Sequence, residues 1–326
     1  MKRAAILLLA VLGAACAPLR QAALSPVPRV SPHFTQAAFV ASDGAVLGLS
    51  RWEPQGVEPW AVIVALHGMN DYGGTFRLAG AWWAARGVTT LAYDARGFGR
   101  SPGRGVWPRQ DLMLRDVQEA LAAARRAYPC ARLALLGLSM GAAAAAAAQT
   151  QAGAVPVDRL ILASPGVWGW SQLPFSYRLS LRLAVLLAPG ARLKPPAGVQ
   201  QQVTATDNYQ FLVEMSKDPN LIGATRLDAL AGLETLMQTA FERLPEVPPH
   251  TLYLLGAKDE IIPALVAETA AARLPPAVSV RRYPDGHHLL LSDLSARQVW
   301  ADVLAFLADD LAGPIPTGGC SKECQR

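Results

Sequence analysis

Residues 135–148 read LLGLSMGAAAAAAA: an apolar run to Gly137, a serine between two glycines, then an alanine-rich stretch. Alanine is the strongest helix former and lets a helix pack close, so residues 142–151 read as a helix. The apolar "RLALLGLSMG" of residues 132–141 reads as a strand buried on both faces. Ser139 stands where the one becomes the other. A serine in that place can cap the helix's free amides, but a cap needs neither Gly137 nor Gly141. The competing reading is a nucleophile. A G-x-S-x-G turn between strand and helix is too tight for a Cβ at the neighbouring positions, and it lifts the serine hydroxyl clear of the sheet edge. The helix N-terminus beneath it then favours developing negative charge.

The chain around this stretch alternates. "AFVASDGAVLGLSRW" (38–52) reads as two strands about a turn at Asp43 and Gly44. "AVIVALHG" (61–68), "VTTLAYDARGFGRS" (88–101), "VDRLILASP" (157–165), "HTLYLLGAKDEIIP" (250–263) and "VSVRRYPDGHHLLL" (278–291) each open with a strand. Helical segments fall at residues 75–86, 111–128 and about 294–311. The expected fold is α/β: a mostly parallel sheet with helices on both faces. Residues 166–249 interrupt it without a buried strand and read as an inserted helical cap. It holds Trp168, Trp170, Phe175 and Tyr177, an amphipathic stretch near residues 176–187 and a Pro-rich turn at 194–196. The core then comprises residues 37–165 and 250–313.

Composition narrows the classes. At 326 residues, 52% hydrophobic and 17% charged, the chain can bury a large core and disorder is not expected. The formal charge of +5 is modest, and the Lys and Arg are scattered, so no nucleic-acid face is indicated. The N-terminus "MKRAAILLLAVLGAACAP" has the basic, apolar and small segments of a signal peptide over residues 1–15. Its apolar part is too short to span a bilayer. Small residues ending at Cys16 resemble a bacterial lipobox, which implies lipidation of Cys16 and, in a Gram-negative cell, an outer-membrane anchor. An ordinary signal peptide cleaved nearby is the competing reading. Residues 16–36, with "SPVPRVSPHF", read as a Pro-rich tether. Cys320 and Cys324 lie in the tail 314–326, where an exported compartment permits a disulfide. Cys130 reads as a lone buried thiol.

A serine nucleophile needs a base and an orienting acid, which follow it in the order acid, then histidine. Asp259, just past the strand of residues 250–256, is the acid candidate, with Glu260 its competitor and a helix cap near Pro263 its structural alternative. The base is His287 or His288, and physics alone does not separate them. Two backbone N–H groups should form an oxyanion hole: Met140, after the serine, and Met69, in the loop after residues 61–68. His67 lies too early in the chain for the base and reads as a loop-shaping residue.

Together these segments resemble the α/β-hydrolase superfamily, and within it the monoacylglycerol lipase and lysophospholipase branch. "HGMNDYGGTF" is similar to that branch's oxyanion loop, "YDARGFGRSPGRG" to its D-x-R-G-x-G-x-S loop, "LLGLSMGA" to its elbow, and "GAKDEIIP" to its acid loop. "YPDGHHLLLSD" is similar to its final loop, where the histidine stands five residues after a tyrosine and five before an acid. Counting from Tyr283 to Asp293, the resemblance assigns the base to His288, and His287 stands where a tyrosine is usual. "KDPNL" (217–221) is similar to a D-P-L element of its cap. The resemblance implies a serine ester hydrolase with no metal or organic cofactor, acting on an amphiphilic acyl ester. The cap's Trp and Phe residues and the Leu-rich stretch 179–187 would then wall an acyl site, or else dock the cap on the core. Hydrolysis of another small ester, amide or thioester is the second expectation, and a non-catalytic envelope binding lipoprotein the third. The cap is the part that the resemblance covers least.

Overall fold

The computed structural model describes residues 18–194 and 203–309. The expected signal peptide, Cys16, Pro195, Pro196, Cys320 and Cys324 lie outside the described residues. The strands are β1 (His33–Phe34), β2 (Ala38–Val40), β3 (Val46–Trp52), β4 (Ala61–Leu66), β5 (Val88–Tyr93), β6 (Arg132–Leu138), β7 (Arg159–Ala163), β8 (Arg192–Leu193), β9 (Thr225–Arg226), β10 (Thr251–Gly256) and β11 (Ser279–Tyr283). The helices are α1 (Arg77–Ala84), α2 (Gln110–Ala127), α3 (Met140–Gln149), α4 (Phe175–Leu187), α5 (Tyr209–Lys217), α6 (Leu227–Arg243), α7 (Ala264–Ala271) and α8 (Ala296–Ala308).

Nine strands form one sheet in the order β1-β2-β3-β5-β4-β6-β7-β10-β11. Pairing from β1 to β5 is antiparallel, and from β5 through β11 it is parallel. Every residue of β4, β5 and β7 is buried, which is why these strands read as unbroken apolar runs. One face packs on α1 and α8 through Ala79, Trp83, Val299 and Leu307. The other packs on α2, α3 and α6 through Val117, Leu121, Leu236 and Ala240. This is the α/β-hydrolase fold. The chain order reverses about β4, between β5 and β6, and ligands in open α/β sheets bind outside the C-terminal strand ends at such a point. The loop after β4 and Ser139 after β6 both emerge there.

The alanine run explains itself by packing. Ala142 through Ala148 are all buried, between β6, α2 and α6, and a larger side chain would force those layers apart.

The region expected as one cap has two parts. Helix α6 packs along α3 and belongs to the layer covering the sheet. Among the described residues, the other part holds helices α4 and α5 and the two-stranded ribbon of β8 and β9.

Two expectations are corrected. The Pro-rich segment, where described, is not a free tether. Leu19 N donates to Asp228 Oδ2 (3.0 Å), Gln21 N to the Trp107 carbonyl (3.0 Å), Leu24 N to Asp43 Oδ2 (2.8 Å) and Arg29 N to the Ser42 carbonyl (2.6 Å). Proline composition marks an extended chain, and an extended chain can lie along a surface as readily as it can span solvent. Cys130, in the turn before β6, is half-buried rather than buried.

Candidate active site

Ser139 is the single residue between β6 and α3, and it holds φ +55° and ψ −116°. A non-glycine residue in such a conformation costs about 1–3 kcal/mol and persists only where its surroundings fix it. They do so through the main chain. Ser139 N donates to the Ala163 carbonyl (3.0 Å), and the Ser139 carbonyl accepts from Ala142, Ala143 and Gly166 N at 3.0, 3.1 and 3.0 Å. The hydroxyl makes no cap hydrogen bond to α3. The flanking glycines are dictated by close approach. A Cβ on Gly137 would lie 2.3 Å from the Gly141 carbonyl oxygen, and one on Gly141 would lie 2.0 Å from that of Leu66.

The loop after β4 passes directly beside this turn. A Cβ on Gly68 would sit 3.5 Å from that of Ser139. His67 shapes the loop: Nδ1 donates to the Gly68 carbonyl (2.8 Å) and Nε2 accepts from Ala95 N (2.9 Å). Those two partners fix one neutral tautomer. Asn70 adopts φ +63°, held by its donation to Thr225 Oγ1 (2.6 Å) and by Ile222 N on its carbonyl (2.9 Å). Asp94 braces the same loop by accepting from Gly73 N (2.9 Å) and Arg100 Nε (2.7 Å). Burial would raise its carboxyl, but the Arg100 guanidinium outweighs that and holds it below the usual range.

The loops after β10 and β11 are zipped together. Lys258 N donates to the Gly286 carbonyl (2.8 Å) and Ala257 N to that of Tyr283 (2.9 Å). A Cβ on Gly256 would lie 2.5 Å from the Gly286 oxygen. This sets His288 Nδ1 2.8 Å from Asp259 Oδ2, with both residues' side chains over nine-tenths buried. The other oxygen, Oδ1, accepts from Ile261 N (2.8 Å) and Ile262 N (3.0 Å). The cap position of α7 is Pro263, so Asp259 does not cap that helix. Glu260 turns away and accepts from Thr204 N (2.6 Å). His287 faces Asp293, with Nδ1 3.6 Å from Oδ1. An ionised Asp259 only accepts, so His288 Nδ1 carries the proton and Nε2 is left as the basic nitrogen.

Ser139, His288 and Met69 line one cavity of about 320 Å³, within the range of about 300–1,000 Å³ usual for ligand sites. Asp71 also lines it, and burial pushes this carboxyl above the ordinary range against the pull of His67. The apolar wall is Met215, Leu221, Ile222, Ile261 and Leu289. The wall expected from the Trp and Phe residues and the Leu-rich helix is therefore corrected. No residue of α4 is buried, and Trp170 donates instead to Thr235 on α6 (3.1 Å), docking its segment. Met69 stands at the cavity, whereas the Met140 side chain is in the core beneath.

Sequence reasoning missed the latch that carries this wall. Asp218 of "KDPNL" accepts from the Tyr72 hydroxyl (2.6 Å). Arg104 donates to the carbonyls of Pro219 (2.7 Å), Asn220 (3.1 Å) and Leu221 (2.6 Å). The signal available was the pair of glycines around Arg104, which marked a loop but not its partner.

The Hydrolase_4 family model, described as serine aminopeptidase, S33, matches residues 57–295, and the chain belongs to that family. It is 27% identical over 281 residues to the monoglyceride lipase of Homo sapiens, covering 82% of this chain and 88% of that protein. It is 23% identical over 296 residues to the monoacylglycerol lipase of Mycolicibacterium smegmatis, covering 86% of this chain and all of that one. Among solved structures, a soluble variant of monoglyceride lipase from Saccharomyces cerevisiae, in complex with a substrate analogue, superposes with a TM-score of 0.70 at 15% identity. That match covers 91% of this chain and 100% of the other.

Proposed function

We propose that this Hydrolase_4 member is a serine carboxylester hydrolase that cleaves monoacylglycerols or lysophospholipids through an acyl-serine intermediate. The observation that carries the reading is one cavity in which an uncapped, strained Ser139 and an Asp259-bound His288 meet an apolar wall. In the proposed reaction His288 Nε2 takes the Ser139 proton as Oγ attacks the ester carbonyl. The oxyanion forms against the main-chain N–H groups of Met69 and Met140. The tetrahedral intermediate collapses, and His288 passes the proton to the departing alcohol. Water, deprotonated by the same nitrogen, then attacks the acyl-serine and releases the fatty acid and Ser139. Asp259 keeps the imidazole in its tautomer and stabilises the imidazolium. The two relatives named as monoglyceride or monoacylglycerol lipases, matched over 88% and 100% of their lengths, support the substrate class.

The test is acyl release from a long-chain 1-monoacylglycerol, a lysophospholipid, a short-chain ester and an aminoacyl amide. Burying a CH₂ is worth about 0.8 kcal/mol, so four more methylenes against the wall should raise kcat/KM for the long-chain esters about a hundredfold. Cleavage confined to the short ester removes the lipid assignment. Cleavage confined to the amide would favour the activity in the family's description.

We also propose that the mature chain is a lipoprotein anchored through Cys16. Leu19 is pinned to Asp228, whose own N–H donates to the Pro189 carbonyl, just past α4. Three residues of extended chain span about 10 Å, so the anchor would hold the body close to the bilayer with α4 near it. That helix leaves Phe175, Tyr177, Leu186 and Leu187 exposed. Cys16→Ser is expected to move the protein from the membrane to the soluble envelope fraction. A variant still held in the membrane through its N-terminus overturns the anchor.

A further inference from the structure

Beside the proposed catalytic residues lies a cluster that the reaction does not use. Asp207, His287 and Asp293 place one donor atom each within 4.8 Å of one another. His287 is 8% exposed, and among the described residues its buried Nδ1 has no hydrogen-bond partner. That nitrogen is 3.6 Å from Asp293 Oδ1, too long for a hydrogen bond. It matches the spacing of ligands around a tetrahedral zinc ion, where donors at about 2.0–2.2 Å from the metal stand about 3.4 Å apart.

We propose that Asp207, His287 and Asp293 bind a divalent transition metal of the zinc type. The site's donors are one imidazole nitrogen and two carboxylates, with water completing the shell. Imidazole disfavours calcium and magnesium, which take oxygen ligands. The carboxylates are already oriented. Asp293 Oδ1 accepts from the Thr206 hydroxyl (2.6 Å) and Oδ2 from His287 N (2.8 Å), while Asp207 Oδ1 accepts from Leu294 N (2.8 Å). A carboxylate oxygen holding one hydrogen bond retains a lone pair for a metal. The ion would clamp residues 203–208 of the insert onto the loop carrying His288. That junction is already drawn together by Leu289 N on the Ala205 carbonyl (2.8 Å) and Asn208 Nδ2 on that of Ser292 (2.9 Å). The site is structural and does not depend on the reaction proposed above.

The experiment is calorimetric titration of chelator-treated full-length protein with zinc chloride, alongside Asp207→Asn. Asn keeps an oxygen to accept from Leu294 N, so the loop stays folded while the anionic ligand is lost. The wild type should bind one equivalent that the variant binds at least about tenfold more weakly. At roughly a hundred times the wild-type Kd, zinc should raise the wild-type Tm by about 5 °C and the variant's by about half as much or less. Calcium chloride should give no shift. The proposal fails if the wild type takes up no zinc, if Asp207→Asn binds it equally, or if calcium rather than zinc stabilises the protein.

Discussion

Ser139→Ala should abolish acyl release, lowering kcat about 10⁵–10⁶-fold, the scale on which loss of a nucleophile collapses a coupled triad. The protein should stay folded, because among the described residues Ser139 is held through its main chain and its hydroxyl makes no cap hydrogen bond. Alanine carries the same Cβ, so the strained backbone is neither relieved nor worsened, and stability should stay within about 0.5 kcal/mol. The wild type should be labelled at Ser139 by a serine-reactive phosphonate, and the variant should not. Had the serine been a helix cap, the pattern would be reversed: activity retained and stability lower by about 1 kcal/mol. Steady-state kinetics with a denaturation curve on the same preparation separates the two.

How far the sequence could be read follows from the range of the interactions involved. The elbow was legible because everything that makes it lies within a few residues: a buried strand, glycines where Gly137 and Gly141 press on main chain, and an alanine helix. The parallel sheet was legible because strands buried on both faces write themselves as apolar runs. The insert was not. Apolar periodicity says that a helix has an apolar face but not what covers it, so residues 166–249 read as one cap, yet α6 is core and α4 has no buried residue. The latch joins Tyr72 to Asp218, 146 positions apart, and neither residue signals the other locally. The wall at Met215, Leu221 and Ile222 depends on that latch, so it was misplaced onto the nearer aromatic residues. The two histidines show the same limit. Adjacent in sequence, they diverge because His288 meets Asp259 and His287 meets Asp293, a distinction made by two loops zipped after β10 and β11.

The latch also bears on how the insert is held. Tyr72 to Asp218, Arg104 to three successive carbonyls, and Arg77 to Glu214 (2.7 Å) fasten α5 and its following loop to the loop after β4 and its neighbours. Residues that wall the cavity and the loop that would hold the oxyanion are therefore positioned as one unit. Preorganisation of this kind is what makes main-chain donors effective against a developing charge.

Asp259→Asn should lower kcat about 10⁴-fold with little change in stability. Oδ1 of the new amide can still accept from Ile261 N and Ile262 N, which hold the turn. The amide nitrogen then replaces Oδ2 against His288 Nδ1. Because that nitrogen is a donor, it selects the tautomer with Nδ1 bare and the proton on Nε2. The nitrogen facing the reaction can no longer accept the Ser139 proton, and the imidazolium loses its counter-charge. Glu260→Gln should cost less than about tenfold, since its carboxylate accepts from Thr204 N and an amide oxygen can do the same. The pair is measured as kcat against pH on one long-chain ester. If Glu260→Gln is the inactive variant and Asp259→Asn is not, the acid has been assigned to the wrong residue. If both remain active, His288 is not the base, because no base held in the wrong tautomer could turn over.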